Sequence, residues 1–173
     1  MKGLSKSFTV QIDVTITEED LSTLLSNAFD GSGECGCAWT KPTDQGAYDS
    51  AREELVSERG SANGIFDADV YARMLMRGGT IQCLDPESDW HWSGHQPGEA
   101  VWPNQVWSEG CEPVGGEWHA VGLDDIADAI IQYAEGHVAS DLGANLSKIV
   151  EDGDFWDADA IIQYAMYGDV IYG

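Results

Sequence analysis

The side chains that could carry chemistry in this 173-residue chain are four histidines, four cysteines and 31 acids. A tetrahedral metal site needs nitrogen or sulfur donors that converge on one point. His91 and His95 stand four apart in "HWSGH", one turn of a helix if a helix formed there, and Cys83, Cys111 and His119 could complete the set. Gly94, Pro97 and Gly98 oppose a helix at that point. Cys35 and Cys37 fall on one face of a strand, without the two-residue gap of a zinc knuckle. The expectation is therefore no metal: histidines at the surface, and reduced cysteines acting as small apolar residues.

Catalytic signatures are missing as well. The chain has no Gly-x-Ser-x-Gly, no His-Glu-x-x-His and no glycine-rich phosphate loop, and "RGSANG" at Arg59–Gly64 lacks the Lys-Ser/Thr ending. Asp152, Asp154, Asp157 and Asp159 have something of a calcium-loop rhythm. Counted from Asp152, however, the twelfth position is Gln163, where an EF-hand places its bidentate Glu. With so many carboxylates, an acid pair says nothing about general acid–base work. The sequence predicts no enzyme, no catalytic residue and no cofactor.

The charge is more informative. Thirty-one acids face eight bases, a net of −23, and the imbalance is uneven. Met1–Arg77 holds 13 acids and seven bases; Gly78–Gly173 holds 18 acids and Lys148 as its base. Such a field repels nucleic acid and anionic membranes and attracts cationic surfaces. It fits salt adaptation, solubility, or imitation of a phosphate backbone, whose charges recur about every 1.7 Å of duplex axis. No apolar run reaches the roughly 20 residues that span a bilayer. Met1–Val14 alternates polar and apolar residues rather than forming a signal sequence, so a cytoplasmic protein is expected.

The elements that would position these groups read as a single α+β domain over residues 1–173. Phe8, Val10, Ile12, Val14 and Ile16 alternate with polar residues, predicting a half-buried strand. Thr17 and Asp20 form a capping box ahead of a helix through Phe29. A short strand is expected over Glu34–Thr40, followed by a loop at "KPTDQG" and an exposed helix over Tyr48–Arg59. Asp67–Arg77 places Val70, Tyr71, Met74 and Leu75 on one helical face, stopped by Gly78 and Gly79 before a buried strand, "TIQCL". Residues 89–119 hold five of the seven tryptophans, Trp90 and Trp92 among them. They read as a long irregular insertion or a pair of short strands, with Trp anchoring it to the body. Residues 123–173 are acidic and helical, with a short helix or turn at "LGANLSKIV" and a short extended ending, "DVIYG".

One phrase occurs twice there. "ADAIIQYA" fills Ala127–Ala134 and Ala158–Ala165. In each copy the first Ala, both Ile and the last Ala recur at i, i+3, i+4 and i+7, one stripe for burial, with Asp128 or Asp159 on the acidic back. Two helices packing the same way on a common sheet or on each other are the main expectation; a paired Gln–Tyr surface is the other. Two copies are too few for a solenoid.

The closing "DADAIIQYAMYGDVIYG" resembles the C-terminal signature of small phage- and prophage-encoded proteins of unassigned function. That group is also similar at the opening strand and Thr15–Phe29, and at the Gly-Gly-terminated helix and strand over Tyr71–Leu84. Together the three blocks cover about a third of the chain and are structural rather than catalytic. Residues 89–119 and the first copy of the octapeptide depart from the pattern. The resemblance implies an inhibitor of bacterial defence, anti-CRISPR proteins included.

These observations predict an α+β fold: a small antiparallel or mixed sheet, including Phe8–Ile16 and Thr80–Leu84, covered by amphipathic helices. The expected function is capture of a basic protein, such as a CRISPR effector or another nucleic-acid-binding defence protein. Asp124, Asp125, Asp128, Glu151, Asp152, Asp154, Asp157 and Asp159 would stand in for phosphates, with Trp90 and Trp92 as interface anchors. Direct nucleic-acid binding is disfavoured, because residues 89–119 contain no Lys or Arg to form the positive groove that base stacking needs. A homodimer is compatible with the sequence. The alternatives are a small-ligand-binding protein with its pocket under the Trp-rich region and the two Gln–Tyr helices, and a salt-adapted accessory protein.

Overall fold

The computed structural model describes residues 15–29, 39–86, 88–97, 111–138 and 155–170, with 135–138 and 155 described by backbone alone. Helix α1 spans Glu18–Phe29 and opens on the expected capping box: the Thr17 amide donates to Asp20 Oδ2 (2.8 Å) and the Asp20 amide to Thr17 Oγ1 (3.2 Å). Strand β1 covers Thr40–Pro42. Helix α2, Gln45–Arg59, is capped by Asp44, which accepts from the Gly46 and Ala47 amides, and ends at Gly60 in the left-handed region. Helix α3, Asp67–Met76, leads through Gly78 and Gly79 into strand β2, Thr80–Leu84. A Cβ on Gly79 would lie 2.9 Å from the Met74 carbonyl oxygen, which is why this stop uses a second glycine.

Strands β3 (Trp90–Trp92) and β4 (Pro113–Gly115) pair antiparallel, so the Trp-rich region does contain two short paired strands. Strand β5, Trp118–Gly122, runs directly into helix α4, Leu123–Val138, and helix α5 spans Phe155–Tyr167. The main sheet has the order β1-β2-β5 and is antiparallel throughout, which makes the chain α+β.

Several sequence expectations need correction. Thr15 and Ile16 are not in a strand, and the rest of the expected opening strand lies outside the described residues. "KP" belongs to β1 rather than to a loop. Pro42 pairs with Ile81 on an edge strand, where a missing amide donor is tolerated. Most of "ECGCAWT", all of "LGANLSKIV" and the last three residues lie outside the described residues, while Asp169 and Val170 are not in a strand.

The core forms where α3, α4 and α5 meet this sheet and α1 packs against α3 and α5. Leu21, Leu24, Leu25, Val70, Leu75, Ile81, Val121, Ile126, Ile130, Ile161 and Ile162 are all buried there. Cys83 is fully buried in the same cluster and carries a free thiol; burial pushes that thiol up to about 12, so it is protonated at neutral pH.

The doubled octapeptide does not pack as expected. In α4 the buried set is Ile126, Ala129, Ile130, Tyr133 and Ala134, with Ile131 49% exposed and Gln132 turned to solvent. In α5 the equivalents of those two residues, Ile162 and Gln163, are fully buried, and Asp159 is only 5% exposed. The reason is position: α5 lies against α1, α4 and β5, whereas α4 keeps one face in water. Gln163 Nε2 donates to Asp159 Oδ2 at 2.7 Å, one turn away, so the two polar side chains enclosed by this packing bond to each other.

The four first-half arginines are paired locally. Arg73, 13% exposed, donates to Glu18 Oε2 (2.6 Å) and forks onto Glu58 (2.9 and 2.8 Å), with Glu54 at 3.7 Å. Arg77 pairs with Glu54, Arg59 with Asp69, and Arg52 lies 3.6 Å from Asp67. Hydrogen bonds from Arg77 and Arg73 hold the Glu54 and Glu58 carboxyls below their usual range. Burial pushes Asp69 upward, but hydrogen bonds from Arg59, the Phe66 amide and Ser22 outweigh it and leave it lowered. A carboxylate with a lowered folded-state pKa contributes stability above its unfolded pKa, about 4, and loses it as pH falls through the folded value. Urea melts between pH 6 and 3 are expected to show stability falling below about pH 4.5, with a shallower fall in molar salt. A pH-independent midpoint across that window would contradict the network.

Candidate functional site

The acidic surface begins where β5 becomes α4. Gly122 precedes the first helical residue, and Asp125 reaches back so that its Oδ2 accepts from the Gly122 amide at 2.8 Å. Asp125 is thus exposed but engaged in capping. Asp124 and Asp128 project into water from the same end of the helix. Carboxylates suit this position, because the helix dipole favours negative charge at an N-terminus.

The other expected phosphate substitutes divide. Glu151, Asp152 and Asp154 lie outside the described residues. Asp157 is half-buried and accepts the Tyr133 hydroxyl, tying α5 to α4. Asp159 is inside the protein with Gln163. A carboxylate enclosed by the core cannot be displayed to a partner, so Asp159 leaves the strip and Asp157 contributes only in part. Among the described residues the exposed remnant is Asp124, Asp125 and Asp128, joined in the second half by exposed Asp89, Glu112, Glu117 and Asp169. The described residues after Arg77 include no Lys or Arg.

Trp90 and Trp92 sit together on β3, ring centroids 5.2 Å apart and edge to face, and Trp92 meets Trp39 in the same way at 4.8 Å. The Trp90 indole donates to the Pro86 carbonyl at 3.1 Å. These rings are partly buried and hold the β3–β4 pair to the chain beside β1, with room left for an outside contact. Nearby, Lys41 Nζ lies 3.7 Å from the Trp118 ring centroid, a cation–π contact. Gly116 permits the close fit: with φ at 76°, its Cβ would come within 2.6 Å of Leu84 Cδ1. Gln132 and Gln163 do not share a surface, although Tyr133 and Tyr164 meet with centroids 6.5 Å apart.

The five residues weighed for a metal, His91, His95, Cys83, Cys111 and His119, do not converge. Among the described residues the converging donors are instead Asp85, Glu117 and His119, whose ligand atoms lie within 4.8 Å of one another. Glu117-x-His119 is the signal for this in the sequence: in a strand, residues two apart share a face. Residues 89–119 had no visible period, so the strand went unread, and His119 was weighed with Cys83 and Cys111 rather than with Glu117 and Asp85.

Comparison with protein-family models, with curated proteins and with solved structures finds no match to this chain. Fold and surface together define an acidic α+β protein whose described first-half arginines are all paired with acids. Among the described residues no helix is long and apolar enough to cross a membrane.

Proposed function

We propose that the protein is a non-enzymatic acidic inhibitor of phage or prophage origin, acting in the host cytoplasm. It captures a basic, nucleic-acid-handling defence protein, a CRISPR effector or one of similar charge, by offering carboxylates in place of phosphates. The observation that supports this most is the uneven neutralisation of charge. Arginines pair with Glu18, Glu54, Glu58, Asp67 and Asp69 in α1, α2 and α3, while Asp124, Asp125 and Asp128 stand exposed in a second half with 18 acids and one base. Unpaired like charges cost the protein self-repulsion and are relieved when a cationic surface covers them. Trp90 and Trp92 supply aromatic contact area beside the acids. The phage-defence setting rests on sequence resemblance alone.

The test is affinity capture from the host lysate at low salt, followed by a salt series on the captured protein. A basic nucleic-acid-binding partner is expected, with affinity falling steeply between 50 and 200 mM salt. Asp124→Asn with Asp128→Asn should weaken binding roughly fivefold at low salt, at about 0.5 kcal/mol per exposed charge. Capture of neutral or acidic proteins alone, or binding indifferent to salt, would overturn the reading.

A further inference from the structure

Strands β2 and β5 pair Cys83 with His119 and Leu84 with Trp118, and the Asp85 amide donates to the Glu117 carbonyl at 2.8 Å, extending the ladder by one step. Opposed residues, and residues two apart along a strand, project from the same face. Cys83 faces the core, so Asp85, Glu117 and His119 project on that side too, at the end of the sheet where cover gives way to solvent. Their exposure follows this order: Cys83 is fully buried, Asp85 and His119 are half-buried, and the Glu117 side chain is 72% exposed.

The His119 ring is fixed by an edge-to-face contact with Tyr167 of α5, centroids 4.9 Å apart. Its Nε2 is sealed from water and among the described residues has no hydrogen-bond partner. The closest carboxylate oxygen, Glu117 Oε1, is 3.8 Å away, beyond hydrogen-bond range. Buried ring nitrogens are ordinarily satisfied. A distance too long for a hydrogen bond is close to the separation of two donors on one ion, about 3.4 Å for tetrahedral bonds of about 2.1 Å. Glu117, on the solvent side, has the rotamer freedom to close the remaining gap.

We propose that Asp85, Glu117 and His119 bind a divalent first-row transition cation, Zn²⁺ in preference to Mn²⁺. One imidazole nitrogen with two carboxylates is a borderline donor set. The imidazole favours zinc-like ions over magnesium and calcium, which take all-oxygen shells. Zn²⁺ outranks Mn²⁺ at a given site of this kind by the usual affinity order. Three protein ligands leave at least one position for water or for a group from outside. The ion would also clamp the end of β2 to the start of β5.

The experiment titrates the metal-free protein with Zn²⁺, and separately with Co²⁺, Mn²⁺, Mg²⁺ and Ca²⁺, following calorimetry, the thermal midpoint and Co²⁺ visible absorption. One Zn²⁺ per chain, a raised midpoint and Co²⁺ d–d bands are expected. Glu117→Gln, at an exposed position that spares the fold, should lower Zn²⁺ affinity about tenfold or more. His119→Gln should abolish the Co²⁺ bands, while His91→Gln with His95→Gln should leave binding unchanged. Circular dichroism checks that each variant is folded. Asp85→Asn, nearly isosteric, provides a second reading should His119→Gln unfold the protein. No saturable binding at millimolar Zn²⁺, binding that survives both Glu117→Gln and Asp85→Asn, or binding lost only with His91 and His95 would overturn the site.

Discussion

Ile162→Ala is expected to lower the free energy of unfolding by about 2–5 kcal/mol, whereas Ile131→Ala, the same letter in the other copy of the octapeptide, should change it by only about 0.5 kcal/mol. Ile162 is fully buried where α5 meets α1, α4 and β5, so truncation loses the transfer free energy of the removed carbons and leaves a cavity in a rigid surround. Ile131 is 49% exposed, and water fills what its truncation removes. Helix propensity, neighbouring residues and side-chain chemistry are closely matched between the two sites, so the comparison isolates burial. Chemical denaturation of the two variants measures it directly. Equal losses would mean that the copies pack alike and that α4 is rotated from its described position.

Arg73→Ala is expected to cost about 2–3 kcal/mol, the largest effect of any charged residue in the first half. Its side chain is 13% exposed and is shared among Glu18, Glu54 and Glu58; without it Glu18 and Glu58 lose their counter-charge and only Glu54 keeps one, in Arg77. Removing one partner of a buried pair costs about 3–5 kcal/mol; the figure is set lower here because the three carboxylates keep contact with water. The same hydrogen bonds, donated to Glu58 first and then to Glu18, raise the Arg73 pKa further above its already high value, so the group stays charged at any working pH. A double-mutant cycle with Glu58→Gln separates the pair from the rest of the network. Thermal or urea unfolding of Arg73→Ala, Glu58→Gln and the double variant gives the coupling. Additive losses would show that the fork on Glu58 contributes nothing. The variant also bears on function: an arginine so committed is not available to neutralise the acidic second half.

Much of this architecture is legible in local sequence because the signals are local. Thr17 and Asp20 are three apart, and the hydrogen bonds between them need only the first turn of α1. Val70, Tyr71, Met74 and Leu75 recur at helical spacing and all four are buried. Gly78 and Gly79 stop α3 for reasons confined to its last turn. The strand "TIQCL" is apolar apart from Thr80 and Gln82, and it became the central strand of the sheet.

Other features depend on what stands opposite. Pro42 reads as a break until β1 is known to lie on an edge, where its missing donor costs nothing. His119 can be read as a donor, but Glu117 and Asp85 do not join it until β5 pairs with β2 and brings them alongside. Asp128 and Asp159 occupy the same place in an identical phrase, yet one faces water and the other faces Gln163 inside the protein. The sequence by itself determined the helices to within about a turn at their ends (α2 starts at Gln45, inside the expected loop, rather than at Tyr48), the stripe-forming residues and an excess of negative charge, since these follow from residue type and spacing along a few turns. Which stripe was buried, which acids remained outside and which donors met were decided by tertiary structure alone. Burial is a property of neighbours, and identical helices acquire different neighbours when one lies among other elements and the other at the surface.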